Sequence, residues 1–245
     1  MTPATSETPG AGFRHFHDQL AVLKQRLLDM SGRAEELVEM AVDALLSRDK
    51  EKADLVIQVD RELDLLEVEV EGLAIELLAL QQPMGRDLRF IVSAIKVSSD
   101  LERVGDHAVN IAQSALRLIA LHSAVIPDPE IEDMARRARR MLADALDAFI
   151  RADGALGREV CKADDQVDAL HDSLFRILLT HMMADARTIN PSLELLLVSR
   201  NLERVADLAT NIGEDAVFLA EGKSIKHRFE FDARAKQAPA SGDAA

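Results

Sequence analysis

Apolar residues recur along most of this chain at alternating intervals of three and four residues. The clearest run consists of Val56, Val59, Leu63, Leu66, Val70, Leu73, Leu77 and Leu80. Polar and charged residues fill most of the positions between them. This spacing puts the apolar side chains on one face of an α-helix and the polar side chains on the other. The pattern therefore predicts long helices that bury their apolar faces against one another.

Helix-breaking residues divide the body of the chain into six predicted helices. Pro83 and Gly85 end the second helix, a Pro-Asp-Pro turn at 127–129 precedes the fourth, and Pro191 begins the sixth. The predicted ranges are 13–47, 50–80, 86–121, 129–152, 156–183 and 191–221. Strand-forming aromatic residues are scarce, since the chain has no Trp and no Tyr. We therefore expect an all-α fold with almost no β-structure.

The third and sixth predicted helices carry nearly the same sequence. LERVGDHAVNI, beginning at Leu101, recurs as LERVADLATNI, beginning at Leu202, with eight of eleven positions identical. The helices before them align at an offset of 104 residues instead of 101. These repeats indicate the internal duplication of an α-α-α unit. We predict two tandem three-helix bundles, 13–123 and 128–222, between a disordered tail at 1–12 and a mostly disordered tail at 223–245.

Acidic residues line the helices of both predicted repeats at intervals of four residues. The third and sixth helices each present two acids and an asparagine along one face, and the second and fifth helices each present two aspartates. In the first repeat these residues are Asp60, Asp64, Glu102, Asp106 and Asn110. In the second repeat they are Asp164, Asp168, Glu203, Asp207 and Asn211. Acids at this spacing repel one another, so something should offset the repulsion.

Two explanations for the acidic residues stay open. If neighbouring helices pack side by side, each repeat gathers four or more carboxylate oxygens, which suit magnesium, manganese, calcium or iron ions. Alternatively, the acids form a structural network with Arg103 and Arg204 as counter-charges. Because the paired acidic motifs occur in both halves, we favour metal cofactors, with magnesium, manganese or iron as the preferred ions. His171 lies near Asp168, but its counterpart is Glu67, so a position at a helix edge explains it better than metal ligation.

Other features of the sequence limit the functional class. The formal charge of −14 would repel phosphate backbones, so we expect no nucleic-acid partner. A single cysteine, Cys161, and the absence of an export signal favour a cytoplasmic location. Apolar runs are far shorter than a membrane span, so membrane contact is expected only peripherally, through partners. No phosphate loop, nucleophile motif or Glu-x-x-His pair accompanies the acids, so we do not expect an enzyme.

The duplicated motif, with Gln82-Pro83 before one copy and Asp185-Ala-Arg-Thr-Ile189 before the other, resembles the PhoU family of phosphate-specific transport system accessory proteins. The resemblance covers roughly residues 13–222. It implies two tandem three-helix bundles, a homodimer and a cytoplasmic location near the inner membrane. It also implies a negative regulator of the phosphate-starvation response, which links the ATPase subunit of the phosphate ABC transporter to a phosphate-sensing histidine kinase.

The resemblance further implies that the acidic motifs hold metal, often as multinuclear clusters. Residue matching assigns this role to Asp60, Asp64, Glu102 and Asp106, then to Asp164, Asp168, Glu203 and Asp207. The second motif departs from the first by carrying Ala206 where the first has Gly105, and the extra methyl group there could crowd a metal cluster. The alternative functions are a metal-storing or metal-buffering helical bundle and a carboxylate-bridged dimetal enzyme.

Overall fold

The computed structural model describes residues 11–121 and 129–225, and its regular secondary structure within these ranges is entirely helical. The helices are α1 (Ala11–Ser47), α2 (Lys50–Val59), α3 (Arg61–Gln81), α4 (Gly85–Ala120), α5 (Pro129–Arg151), α6 (Gly154–Ala184) and α7 (Ile189–Glu221), with a 3-10 helix at Ala186–Thr188. None of the described helices is long and apolar enough to cross a membrane. The all-α prediction is confirmed.

Two three-helix bundles follow one another along the chain. The first consists of α1, the α2–α3 run and α4, and the second consists of α5, α6 and α7. Their cores contain most of the apolar positions of the helical pattern, and Leu63, Val70 and Leu77 are all buried, whereas Leu80 at the end of the run is 66% exposed. The prediction of tandem bundles is confirmed. The predicted terminal tails and the boundary between the repeats lie mostly outside the described residues, although Ile225 is buried.

The second predicted helix is interrupted at Asp60. The backbone N–H of Leu63 donates to the Asp60 carbonyl at 2.8 Å, whereas the N–H of Asp64 lies 3.4 Å from the same oxygen. Asp60 keeps right-handed helical angles of φ −51° and ψ −36°, so the turn tightens locally without reversing the chain. The α2–α3 run therefore keeps the course of the one long helix predicted over 50–80, with a tightened turn at Asp60 that apolar spacing does not identify.

Helices α4 and α7 join the two bundles and run antiparallel. Arg117, near the end of α4, pairs with Glu194, near the beginning of α7, at 2.8 Å. Midway along both helices, His107 Nδ1 lies 2.9 Å from Asn201 Oδ1. Each of these helices carries one copy of the duplicated motif. The two copies therefore meet across the centre of the molecule.

Further contacts between the bundles lie beside the α4–α7 pair. Phe90 of α4 stacks on Phe149 of α5 with 5.2 Å between ring centroids, and both side chains are buried. Arg139 of α5 pairs with Glu39 of α1 at 2.7 Å. Because a buried aromatic stack and an ion pair reinforce the helix packing, the two repeats form one body.

Candidate metal centres

In the first repeat, the aspartate between α2 and α3 lies directly against α4. Asp60 Oδ1 fills the space beside Gly105, and a Cβ at that glycine would lie only 2.6 Å from it. Glu102 and Asp106 flank Gly105 on the same stretch of α4. The glycine therefore permits an approach that a side chain would obstruct. The structure places the two acidic motifs together, and we name their four acids the first acidic row: Asp60, Asp64, Glu102 and Asp106.

Burial and repulsion between acids raise the pKa of two carboxylates of the first acidic row, Asp60 and Glu102. Burial, followed by repulsion from Asp64 and Asp106, raises the pKa of Asp60 to about 6. Burial, followed by repulsion from Asp106 and Glu67, raises the pKa of Glu102 to about 7. These shifts mean that negative charge in the row destabilises the folded protein unless a cation offsets it.

The first acidic row forms no ion pair with a basic side chain in the part of the chain that the structure describes. Within residues 11–121 and 129–225, no Lys, Arg or His forms an ion pair with any of its four acids. Arg103, the counter-charge that the structural explanation requires, lies 3.7 Å from Asp100 instead. No positively charged side chain among the described residues therefore offsets the repulsion between these acids. The structural-network explanation does not account for the row.

The acids of the second repeat also repel one another. We name these four acids the second acidic row: Asp164, Asp168, Glu203 and Asp207. Burial, followed by repulsion from Asp168 and Asp207, raises the pKa of Asp164 to about 7. Burial, followed by repulsion from Glu203, raises the pKa of Asp168. Asp164 Oδ1 is buried and has no hydrogen-bond partner in the described part of the chain. This oxygen is available to a ligand.

One arginine partly neutralises the second acidic row. Arg204 Nη1 donates to Asp207 Oδ2 at 2.8 Å, as the structural explanation expects. Ala206 is fully buried at the position where the first repeat has Gly105. The two rows therefore differ despite their common origin, because the first combines a glycine with unpaired acids and the second combines an alanine with an ion pair.

The asparagines at the end of each motif stand apart from this repulsion. Asn110 is exposed and Asn211 is half-buried, and no hydrogen bond among the described residues joins either side chain to an acidic row. His171 is also better explained by structure, because its Nδ1 lies 3.0 Å from Ser199 Oγ. The carboxylates are thus the strongest candidates for ligands.

Glu67 belongs to the surroundings of the first acidic row, although it lies outside the duplicated acidic motifs. Burial, followed by repulsion from Glu71, raises its pKa, and its charge contributes to the raised pKa of Glu102. Its position three residues after Asp64, on the same helical face, indicates that it lies near the row. The comparison of repeats hid that signal, since the counterpart of Glu67 is His171.

The donor chemistry of both rows fits hard metal ions. All the donors are carboxylate oxygens, which magnesium, manganese and calcium prefer. The raised pKa values and the unpartnered Asp164 Oδ1 are consistent with sites that need a cation. As the side chains stand, no three His, Cys, Asp or Glu residues of the described ranges converge closely enough to hold an ion. Side-chain rotation must therefore accompany binding, and metal ligation stays a prediction.

Comparison with known proteins identifies the family. A family model described as PhoU domain matches the chain twice, over residues 27–115 and 131–216. A Caulobacter vibrioides protein named phosphate-specific transport system accessory protein PhoU homolog is 40% identical over 212 residues, covering 86% of this chain and 92% of that protein. The chain belongs to the PhoU family. A PhoU homolog of the same name from Zymomonas mobilis is 35% identical over 222 residues, covering 89% and 92% of the two chains.

Solved PhoU structures share the fold. The crystal structure of PhoU from Pseudomonas aeruginosa matches with a TM-score of 0.81 at 34% identity, covering 85% of this chain and 100% of that chain. The phosphate transport system regulatory protein PhoU from Streptococcus pneumoniae matches with a TM-score of 0.79 at 31% identity, covering 86% and 99%. The resemblance inferred from the duplicated motif is confirmed.

Proposed function

We propose that this protein regulates phosphate uptake and represses the phosphate-starvation response. The observation that carries the proposal is the match to PhoU over both repeats, since its relatives are named phosphate-specific transport system accessory proteins. In this role the protein links the ATPase subunit of the phosphate ABC transporter to a phosphate-sensing histidine kinase. It acts in the cytoplasm as a homodimer, reaches the membrane only through its partners and performs no catalytic step.

Metal ions on the acidic rows are the second part of the proposal. The first acidic row would hold one ion or cluster, and the second acidic row another, with magnesium, manganese or iron bound through carboxylate oxygens. A bound cation supplies positive charge that offsets the repulsion among these acids. The carboxylates of each row would hold the ion, and the neutralised acidic face would then serve as a docking surface for the partner. This arrangement reconciles a net charge of −14 with attachment to a membrane-associated partner.

Deletion of the gene tests the regulatory role. We expect a phosphate-starvation reporter to be expressed constitutively in medium rich in phosphate, and re-expression of the wild-type chain to restore repression. A metal-storing protein would instead give only growth defects that depend on metal supply. Normal repression in the deletion strain would therefore reject the regulatory proposal.

Substitution of the first acidic row tests metal binding. We expect Glu102→Ala with Asp106→Ala to abolish metal in the first repeat, because both acids flank the glycine against which Asp60 packs. Elemental analysis after dialysis measures the content, and circular dichroism checks that helicity is kept. Glu51→Ala with Glu132→Ala removes the same charge from exposed positions and serves as control. Equal metal content in the wild type and the row variant would contradict the assignment.

A further inference from the structure

A cleft lies where the two bundles meet, away from both acidic rows. Its walls come from the first part of α1, the beginning of α4, the end of α5 and the end of α7, so both repeats contribute to it. Its volume is about 380 Å³, within the range of about 300–1,000 Å³ that is common for small-molecule sites. The buried Phe90, which stacks on Phe149, forms part of its floor.

The lining of this cleft is basic although the chain as a whole is acidic. Lys24, Arg86 and Arg151 face it, and Asp87 is the single carboxylate among the described residues that line it. Arg151 is held by an ion pair with Asp147. Lys24 and Arg86 form no ion pair within the described residues, and Lys24 Nζ lies 5.2 Å from the centre of the Phe90 ring. Lys24 thus contacts only a neutral ring, and neither Lys24 nor Arg86 is neutralised by an ion pair within the described residues. Two such cations at one cleft are typical of an anion site.

The second repeat shows how an arginine at the same position is neutralised. Arg187 is the counterpart of Arg86 at the offset of 101 residues, and its Nε and Nη2 donate to Asp185 Oδ2 at 3.0 and 2.7 Å. The counterpart of Asp185 in the first repeat is Met84. The first repeat therefore lacks the acid that would form an ion pair with Arg86. Of the two arginines, only Arg86 lines the cleft.

From these observations we infer that the cleft binds a small phosphate-bearing anion, either inorganic phosphate or the phosphate end of a monoester. A guanidinium and an ammonium group together satisfy several phosphate oxygens, since the guanidinium donates in pairs and the ammonium acts as a compact charge. The choice of phosphate over other anions rests on the proposed function. Lys24 and Arg86 belong to the first bundle, and Ile150 and Leu219 of the second bundle line the same cleft, so the bound anion lies where the two bundles meet.

Calorimetric titration of the full chain tests the inference. The protein is first freed of metal with EDTA and dialysed, so that phosphate cannot bind through a cation on the acidic rows. The probes are inorganic phosphate, glycerol 3-phosphate and, as a control for charge, sulfate at the same ionic strength. We expect saturable binding of at least one phosphate probe, at least tenfold tighter than binding of sulfate. Tighter binding of phosphate identifies the free anion as the ligand, and tighter binding of glycerol 3-phosphate identifies a monoester.

Matched substitutions assign the binding to the cleft. Arg86→Gln alters an exposed side chain, so we expect the fold to persist and the affinity to fall at least tenfold. Lys24→Gln should weaken binding in the same way. Arg187→Gln removes the same charge from the second repeat and should change the affinity less than twofold. The inference is overturned if neither phosphate probe binds, if sulfate binds equally well, or if Arg86→Gln and Arg187→Gln have equal effects.

The starvation reporter separates this inference from the proposed function. If deletion of the gene releases the reporter but the cleft fails the titration, only the cleft is rejected. If deletion leaves the reporter repressed while phosphate binds through Arg86, the regulatory role is rejected and the binding site stands. We expect Arg86→Gln to shift the phosphate concentration at which the reporter is repressed, and Arg187→Gln to leave that concentration unchanged.

Discussion

Replacement of Gly105 by alanine tests the close approach of α3 to α4 on which the first acidic row depends. A Cβ at this position would lie 2.6 Å from both Asp60 Oδ1 and Leu63 Cδ2. Asp60 is only half-buried and can rotate away, but Leu63 is fully buried. To restore an ordinary contact of 3.4 Å, the leucine must retreat by about 0.8 Å into a packed core.

The size of the effect follows from two opposing contributions. Inserting a methyl group into a packed core costs about 1–3 kcal/mol, whereas alanine is better than glycine inside a helix by about 1 kcal/mol. We therefore expect Gly105→Ala to lower the free energy of unfolding by about 0–2 kcal/mol. For a chain of this size, a loss of about 1 kcal/mol lowers the Tm by about 2–4 °C. Displacement of Asp60 should also reduce the metal affinity of the first repeat.

Gly72→Ala provides the matched control. Gly72 lies within α3, and a Cβ there would have no neighbour within 4 Å, so only the helix preference changes. We expect its Tm to rise by about 2–4 °C. Differential scanning calorimetry of the two metal-free variants therefore isolates the cost of crowding at Gly105. If the Tm of both variants rises equally, Asp60 and Leu63 do not pack against Gly105. The close approach on which the first acidic row depends would then be rejected.

Three further predictions concern side chains that the fold buries partly or completely. The raised pKa values of Glu102 and Asp164, each about 7, mean that the folded state binds these protons more tightly than the unfolded state. Metal-free protein should therefore have a higher Tm at pH 5.5 than at pH 8. A Tm that does not depend on pH would contradict this prediction. Phe149→Ala should cost about 3–5 kcal/mol in urea unfolding, whereas Phe175→Ala, at a side chain 48% exposed, should cost less than about 1 kcal/mol; equal costs would exclude the stack between bundles. Burial raises the pKa of Cys161 to about 12, so iodoacetamide at pH 8 should alkylate it at least tenfold more slowly in folded than in urea-unfolded protein, and equal rates would refute its burial.

Much of the fold could be predicted from the sequence because it depends on periodic burial. The apolar spacing of Val56 to Leu80 and the breakers at Pro83 and Pro191 predict elements that the structure contains. The tightened turn at Asp60 could not be predicted in the same way. It depends on one hydrogen bond between backbone groups, and neither residue spacing nor composition records which acceptor a single N–H selects.

The position of the candidate sites could be predicted from the sequence, but the ion pairs within them could not. Duplication of the acidic motifs selects the acids that the structure brings together, since neighbouring helices of one bundle must share an interface. Pairing within a row does not follow from the duplicated motif alone, because Arg103 has Asp100 three residues before it whereas Arg204 has Asn201 there and bonds to Asp207 instead. Long side chains choose between acceptors by local geometry, so identical residues in a repeat do not guarantee identical contacts.

The antiparallel packing of α4 on α7 sets the distance between the two acidic rows. Each helix carries half of one acidic row, so the separation of the rows depends on the register of two packed helices and not on the chain that connects the repeats. Side-chain interdigitation fixes such a register to within a fraction of a turn. A partner that reads both rows would therefore meet charges at one set spacing, even in relatives whose connecting segments differ in length.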